Sequence, residues 1–298
     1  MAALTECSAL AEKHSRDLVP LFLSLAPPDD PTRLPKQKLG AWLEVFSKFT
    51  NPKALRSTEE IHKIYFALSS HPERSLQRLA LSCILTYKSP HIAPYQDKLE
   101  LLLDDTRWRD ELTTLNLSEI ETADRSEFVN LLIRLLFGVM LEKRGRSHGA
   151  DRRAAVLTVL NGCSDEELGL LVDLMLQPLG RGRDRYSGGE FTIAPLSSEV
   201  ADKQLVGFLT LLEDVLKNIG TKLVKLWPAL FGTLLDITAS AQARIGGLKS
   251  LSQKEEEAEV ADDAEAEIKE SSPTRTLITI RQLGLKRLVE FFRSPASA

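Results

Sequence analysis

The residues of this chain best suited to act on another molecule are eight cations set in and around two glycine-containing stretches. Lys143, Arg144 and Arg146 lie in the run Lys143-Arg144-Gly145-Arg146-Ser147-His148-Gly149, with Arg152 and Arg153 just beyond it. Arg181, Arg183 and Arg185 lie between Gly180 and Gly189. Guanidinium groups present forked N–H donors that match phosphate oxygens, so the eight would grip a polyanion if both stretches emerge on one side of the fold. Only Tyr186 accompanies them as an aromatic able to stack on a base. Such a contact would therefore read backbone or shape, not base order. Ordinary solvated loop charge is the plainer alternative for the same residues.

Catalytic chemistry needs matched groups brought together, and the supply is thin. The five histidines are His14, His62, His71, His91 and His148. His62 falls on the polar side of its expected helix, and His71 and His91 sit beside prolines at turns, where capping or solvent contact is the expected role. No metalloprotease, nucleophile-elbow, phosphate-loop or dinucleotide pattern occurs, and Gly180-Arg181-Gly182 follows a helix stop at Pro178, not a strand. The acidic pairs Asp104-Asp105 and Glu166-Glu167 are adjacent, so they diverge on a helix and are read as charges at helix starts. Cys7, Cys83 and Cys163 are too scattered for a disulfide framework or a metal site, which points to a reducing compartment with Cys83 and Cys163 as small core residues. Trp42, Trp108 and Trp227 are read as space-fillers between helices. No metal, cofactor or small-molecule substrate is expected, and an enzyme would need a polar pocket that this distribution of His, Asp and Glu does not suggest.

Those residues must be positioned by helices. Composition is 43% hydrophobic and 27% charged over 298 residues, rich in good helix formers. The formal net charge of −4 is uneven: between Lys254 and Glu270, nine acidic residues face two lysines, so that run carries −7 and the remainder +3. The start of the chain lacks a basic segment followed by an apolar run, and the longest apolar stretch is broken by Arg134, so neither a signal peptide nor a membrane span is expected.

Apolar residues recur at steps of three and four almost throughout. Leu39, Trp42, Leu43, Phe46 and Phe49 mark one helix, ending near Asn51-Pro52, and Ser57 with Glu60 predicts a capping box opening the next, whose inner face is Ile61, Ile64, Tyr65 and Leu68. Further helices are expected over Leu76 to Ile84, Ile92 to Leu103, Arg125 to Leu141, Arg152 to Leu160, from a second box at Ser164 and Glu167 to Met175, then Leu205 to Ile219, Leu223 to Leu235 and Leu277 to Phe292. Pro20, Pro94 and Pro228 each fall early in an amphipathic segment, as in the bent first helix of many HEAT units. The fold class is therefore read as all-α, a HEAT/armadillo-like α-solenoid of stacked antiparallel helix pairs, with a compact helical bundle as the alternative. Residues 1–250 form the HEAT-like segment with mobile loops at 143–151 and 179–198, followed by an acidic disordered insert at 251–273 and a terminal helix at 274–293 packing back on the repeats.

From Ser75 to Pro178 the order of short words resembles the DRIM ("down-regulated in metastasis") family, associated with U-three small nucleolar RNA in the small-subunit processome. The words are Leu79-Ala80-Leu81-Ser82-Cys83-Ile84-Leu85-Thr86-Tyr87, Pro94-Tyr95, Leu99-Glu100, Leu102-Leu103-Asp104-Asp105 and Arg109-Asp110-Glu111-Leu112. They continue as Leu131-Leu132-Ile133-Arg134-Leu135-Leu136-Phe137-Gly138, Arg152-Arg153-Ala154-Ala155-Val156-Leu157 and Glu167-Leu168. The resemblance implies a segment of a much longer HEAT-repeat scaffold of the nucleus and nucleolus that supports small-subunit pre-rRNA processing without catalysing a reaction. Its implied partners are preribosomal proteins and pre-rRNA or small nucleolar RNA, with no membrane. The rival reading is a HEAT-repeat adaptor of nuclear-transport or phosphatase-scaffold type binding protein partners, which cellular localisation would separate.

Overall fold

The computed structural model describes residues 2–142, 149–183, 193, 196, 200–258 and 272–293, and among them there is no strand. The chain is all-α, built from packed helix pairs of the α-solenoid type, and divides into two compact units, Met1–Glu167 and Leu168–Ala298.

The first unit begins with α1 (Ala2–Glu6), α2 (Ser8–Lys13) and α3 (Ser15–Leu25), the last carrying Pro20 inside it. Then come α4 (Lys36–Phe46), α5 (Thr58–Ser69) and α6 (Arg74–Leu85), the expected stripes of each facing inward. A chain of rings ties them together: Phe22 meets Trp42 at 5.5 Å and Phe46 at 5.0 Å, and Phe46 meets Tyr65 at 6.4 Å. Each fully buried aromatic or branched side chain stabilises the fold by roughly 1.5–3 kcal/mol before entropy is counted.

Beyond these lie α7 (Gln96–Leu102), α8 (Trp108–Thr114), α9 (Thr122–Leu141) and α10 (Gly149–Leu160). Helix α9 is apolar nearly all round, with Phe128, Leu131, Leu132, Ile133, Leu135, Leu136 and Val139 all buried, and a helix of that kind has to be central. It packs on α5, α6 and α10. Gly138 makes the closest approach possible: a Cβ there would lie 2.7 Å from the His71 carbonyl and against the Gln77 amide. That amide, fully buried, donates to the carbonyls of Ser69 (2.7 Å) and Leu135 (2.9 Å), joining the α5–α6 turn to α9.

Helix α11 (Asp165–Leu176) crosses the boundary between the units. The second unit contains α12 (Asp202–Ile219), a 3-10 segment at Gly220–Leu226, α13 (Trp227–Ala258) and α14 (Ser272–Arg293). Helix α14 packs on both α12 and α13. The stretch Asp202–Leu248 is long and apolar enough by composition to cross a membrane. Its residues Leu205, Leu209, Leu212, Val215, Leu230, Leu234 and Ile237 are buried inside this unit.

Several local expectations are corrected. The capping box at Ser57 does not form: Ser57 is left-handed (φ 55°, ψ 35°) with no side-chain cap, whereas capping requires an extended residue aimed at the first turn. Thr58 turns its hydroxyl to the Pro52 carbonyl (2.9 Å) and meets the Tyr87 hydroxyl at 2.9 Å instead. The second box forms as expected, with Ser164 N–H donating to Glu167 Oε2 (2.7 Å) and Glu167 N–H to Ser164 Oγ (3.3 Å). The helices expected at Ile92 and Leu223 start as 3-10 turns, Ala93–Tyr95 and Gly220–Leu226, and the second passes into α13 where Pro228 occupies a first-turn position that needs no N–H. Of the loop expected at 143–151, residues 149–151 already belong to α10. The acidic segment is helical at its start, because Gln253, Lys254 and Glu255 to Glu257 are good helix formers continuing α13 to Ala258. Residues 259–271, and with them most of the expected acidic insert, lie outside the described residues.

Candidate functional site

A guanidinium that serves a phosphate must keep its donors in water, and the eight candidate cations divide on that test. Arg152 has a side chain only 8% exposed, on α10. Its Nη1 donates to the Glu142 carbonyl (3.1 Å) and to Glu142 Oε2 (3.2 Å), and its plane lies 5.9 Å from the Trp108 ring. The same carboxylate receives Arg74 Nη2 at 2.7 Å, while Arg74 Nη1 reaches Asp105 (3.0 Å) and the Asp104 carbonyl (3.3 Å). Two cations and two carboxylates thus form one largely buried cluster linking α6, the end of α7, the end of α9 and α10. Carbonyls at a helix C-terminus lack intrahelical donors and carry partial negative charge, so arginine is well placed there. Arg78 does the same for the Leu103 carbonyl, with Nη2 at 2.6 Å and Nε at 2.9 Å.

In the second unit Arg181 follows the 3-10 turn Gln177–Leu179 and a left-handed Gly180 (φ 63°), a conformation natural to glycine. Its side chain, 10% exposed, pairs at 3.3 Å with Asp236, which is 1% exposed in the middle of α13. Arg183 pairs with Asp173 on α11 at 2.5 Å, with both groups partly open to solvent. Arg152 and Arg181, both expected to meet phosphate, are thus placed against buried carboxylates. Arg153 is half-buried on α10. Lys143, Arg144, Arg146 and Arg185 lie outside the described residues.

The pattern of internal arginines extends to positions the sequence reading passed over. Arg125 grips Glu167 with two bonds, Nε to Oε1 at 2.7 Å and Nη2 to Oε2 at 2.9 Å, and donates from Nη1 to the Leu117 carbonyl at 2.6 Å. Glu167 thereby closes its capping box and anchors α9 at once. Arg287 on α14 is buried, donating to the Leu209 carbonyl (3.0 Å), to Glu290 (2.6 Å) and to Glu213. The signal available was an arginine inside an apolar stripe: Arg287 lies three positions after Gly284 and four before Phe291, both turned inward.

His62, His71 and His91 pack or hydrogen-bond within the first unit. His62 is not on a polar face: its ring lies 4.5 Å from Tyr87 and 4.8 Å from Phe66, and burial pushes its pKa down. His71 accepts the Glu73 N–H at 2.9 Å, closing the α5–α6 turn. His91 Nδ1 meets Asp124 at 2.9 Å, the carboxylate that also accepts the Tyr95 hydroxyl at 3.1 Å. Cys83 is buried and donates to the Leu43 carbonyl at 3.2 Å, and desolvation drives its thiol well above the usual range. Trp42 and Trp108 are buried in the first unit, and Trp227 donates to the Gly220 carbonyl at 3.1 Å in the second. Among the described residues no three His, Cys, Asp or Glu side chains converge as metal ligands would.

Comparison with known proteins gives a consistent result. Residues 33–298 match the model of a family described as "U3 small nucleolar RNA-associated protein 20, N-terminal". A protein of Schizosaccharomyces pombe named U3 small nucleolar RNA-associated protein 20 is 27% identical over 268 residues, covering 85% of this chain and 10% of that protein. The protein of the same name from Saccharomyces cerevisiae is 30% identical over 166 residues, covering 51% of this chain and 7% of its own length. This chain spans about a tenth, or less, of the curated relatives it matches.

Proposed function

The chain belongs to the family described as U3 small nucleolar RNA-associated protein 20, N-terminal, and from this we propose that it is a non-catalytic scaffold segment of a ribosome biogenesis factor. Its work is to present helix faces and loops to the preribosomal proteins and pre-rRNA or small nucleolar RNA of a nucleolar assembly, supporting small-subunit pre-rRNA processing. The observation that carries this is the family match across 33–298, together with an interior in which buried arginines and carboxylates are spent on one another. A stacked-pair fold supplies extended surface, and its usefulness depends on shape held rigidly. The transport-adaptor or phosphatase-scaffold alternative has no counterpart in the names of the relatives.

Contact with RNA phosphate is assigned to Lys143, Arg144, Arg146, Arg153, Arg183 and Arg185, while Arg152 and Arg181 hold the helices from which those stretches depart. Neutralising phosphate with such cations releases counterions, so binding should weaken steeply with salt. The test is affinity purification of the tagged chain from cells followed by RNA sequencing. Enrichment of the small nucleolar RNA named in the relatives and of small-subunit precursors, with nucleolar fluorescence of the tagged chain, is the expected result. Recovery without either RNA, or a cytoplasmic or nuclear-rim distribution, would overturn the reading.

A further inference from the structure

Among the serines and threonines of the chain, Ser164 alone is followed by three acidic residues in a row, Asp165, Glu166 and Glu167. An acidophilic serine kinase recognises such a run by charge, because a basic substrate cleft attracts carboxylates just beyond the acceptor hydroxyl and rejects cations there. All four residues lie in the first unit, between the end of α10 and the first turn of α11.

The geometry of this turn suits it to modification. Ser164 is exposed, and its Oγ only accepts, from the Glu167 N–H at 3.3 Å, while its hydroxyl donates to no group among the described residues. The first fully buried side chain of α11 is Leu168, at 0% exposure. A kinase cleft takes its substrate extended, and the acidic triplet can leave the helix without uncovering the core, as helix ends fray at low cost. A cation already stands beside the acceptor. Arg125 Nη2 and the Ser164 N–H donate to the same oxygen, Glu167 Oε2, at 2.9 and 2.7 Å, and Arg125 Nη2 also reaches the Gly162 carbonyl at 3.3 Å. One carboxylate oxygen is all that separates the guanidinium from the serine backbone.

We propose that Ser164 is a phosphorylation site for an acidophilic serine kinase and that Arg125 receives the phosphate. Ser164 Oγ attacks the γ-phosphorus of ATP, the bond from that phosphorus to the bridging oxygen breaks to release ADP, and the hydroxyl proton passes to the base of the kinase. The product places about −1.5 to −2 charges and three acceptor oxygens at the start of a 12-residue helix, where backbone N–H groups lack intrahelical partners. It also stands against the Glu167 carboxylate, which repels it. Arg125 therefore turns from a monoanion to the more highly charged phosphate, and the box closed by Ser164 and Glu167 gives way to a clasp between Ser164 and α9. This inference is independent of the RNA contact assigned to the other cations.

The full chain is incubated with casein kinase II and ATP, and phosphate is mapped by mass spectrometry of its peptides; the tagged chain recovered from cells is mapped in the same way. Phosphoserine at position 164 is expected in both preparations and should vanish in Ser164→Ala. Glu167→Gln should slow incorporation at least tenfold. That substitution loosens the turn, so accessibility alone would give a faster reaction, not a slower one. Phosphorus NMR then follows the second ionisation of the phosphate, which falls at about pH 6 in an unpaired phosphoserine. Its midpoint in the folded chain should lie below that of the same chain in urea. Arg125→Gln should raise it towards the urea value, whereas Arg125→Lys, which keeps the charge, should retain part of the shift and so separates loss of the cation from loss of structure. Absence of phosphoserine at 164 from either preparation, incorporation indifferent to Glu167→Gln, or a midpoint indifferent to Arg125→Gln would overturn the proposal.

Discussion

An arginine reads the same in a sequence whether it faces a phosphate or a buried carboxylate, and the difference is decided by what surrounds its end. Arg181 against Asp236 is the sharpest instance, since Asp236 is 1% exposed in mid-helix. Removing one partner of such a pair strands the other charge at a cost of about 3–5 kcal/mol, whereas replacing both by apolar residues of similar size is often neutral. Arg181→Ala should therefore lower stability by about 3–5 kcal/mol in urea unfolding, and Arg181→Met with Asp236→Leu should recover most of it. A double variant as unstable as the single one would refute the pairing. Asp104 behaves differently because it is partly open to solvent. Bonds from the Thr106 hydroxyl (2.6 Å), Thr106 N–H (2.8 Å) and Arg107 N–H (3.0 Å) hold its carboxyl at about 2, below the ordinary value of about 3.9. The folded chain binds that proton less readily than the unfolded one, so the contribution is full above about pH 4 and disappears as pH falls towards 2. Denaturation midpoints should drop over that window, and Asp104→Asn should flatten the drop.

Helices were the most legible part of the sequence, and their ends the least. The second capping box was readable because Ser164 and Glu167 bond each other and the local backbone, a contact four residues wide. Ser57 offered the same letters, but the turn from Pro52–Ala54 into α5 puts it in a left-handed conformation that aims its hydroxyl elsewhere. Ser164→Ala should accordingly cost about 1 kcal/mol and Ser57→Ala less than about 0.5 kcal/mol in paired denaturant titrations. Equal losses would contradict the geometry. The junction of α9 with the α5–α6 turn depends on Gly138, where an added methyl meets the His71 carbonyl and the Gln77 amide. Gly138→Ala ordinarily favours a helix by about 1 kcal/mol through propensity. Here crowding should win, because the amide it displaces is buried and bonded on both sides, and a net loss of about 1–3 kcal/mol is expected by thermal or chemical unfolding. A stabilised variant would mean that the close approach is not formed.

At the scale of the whole chain the expected function is carried by surface, so its test is ionic. Replacing Lys143, Arg144 and Arg146 by alanine should reduce the slope of log affinity for single-stranded RNA against log salt by about 2 if each meets one phosphate. An unchanged slope in filter binding would remove that stretch from the interface. The sequence by itself determined the all-α class, the positions of most helices, the absence of recognisable catalytic patterns and the family likeness. These rest on apolar periodicity and on words of neighbouring residues, which are written along the chain. Only the tertiary structure decided which arginines were spent inside, that His62 lies among aromatic rings and that Gly138 is a point of contact. The buried pairs depend on groups far apart in sequence: Arg74 and Glu142 are 68 positions apart, and Arg287 and Glu213 are 74. Local spacing fixes which way a side chain leaves its helix, but not what it meets there. The partner of a buried charge is chosen by packing.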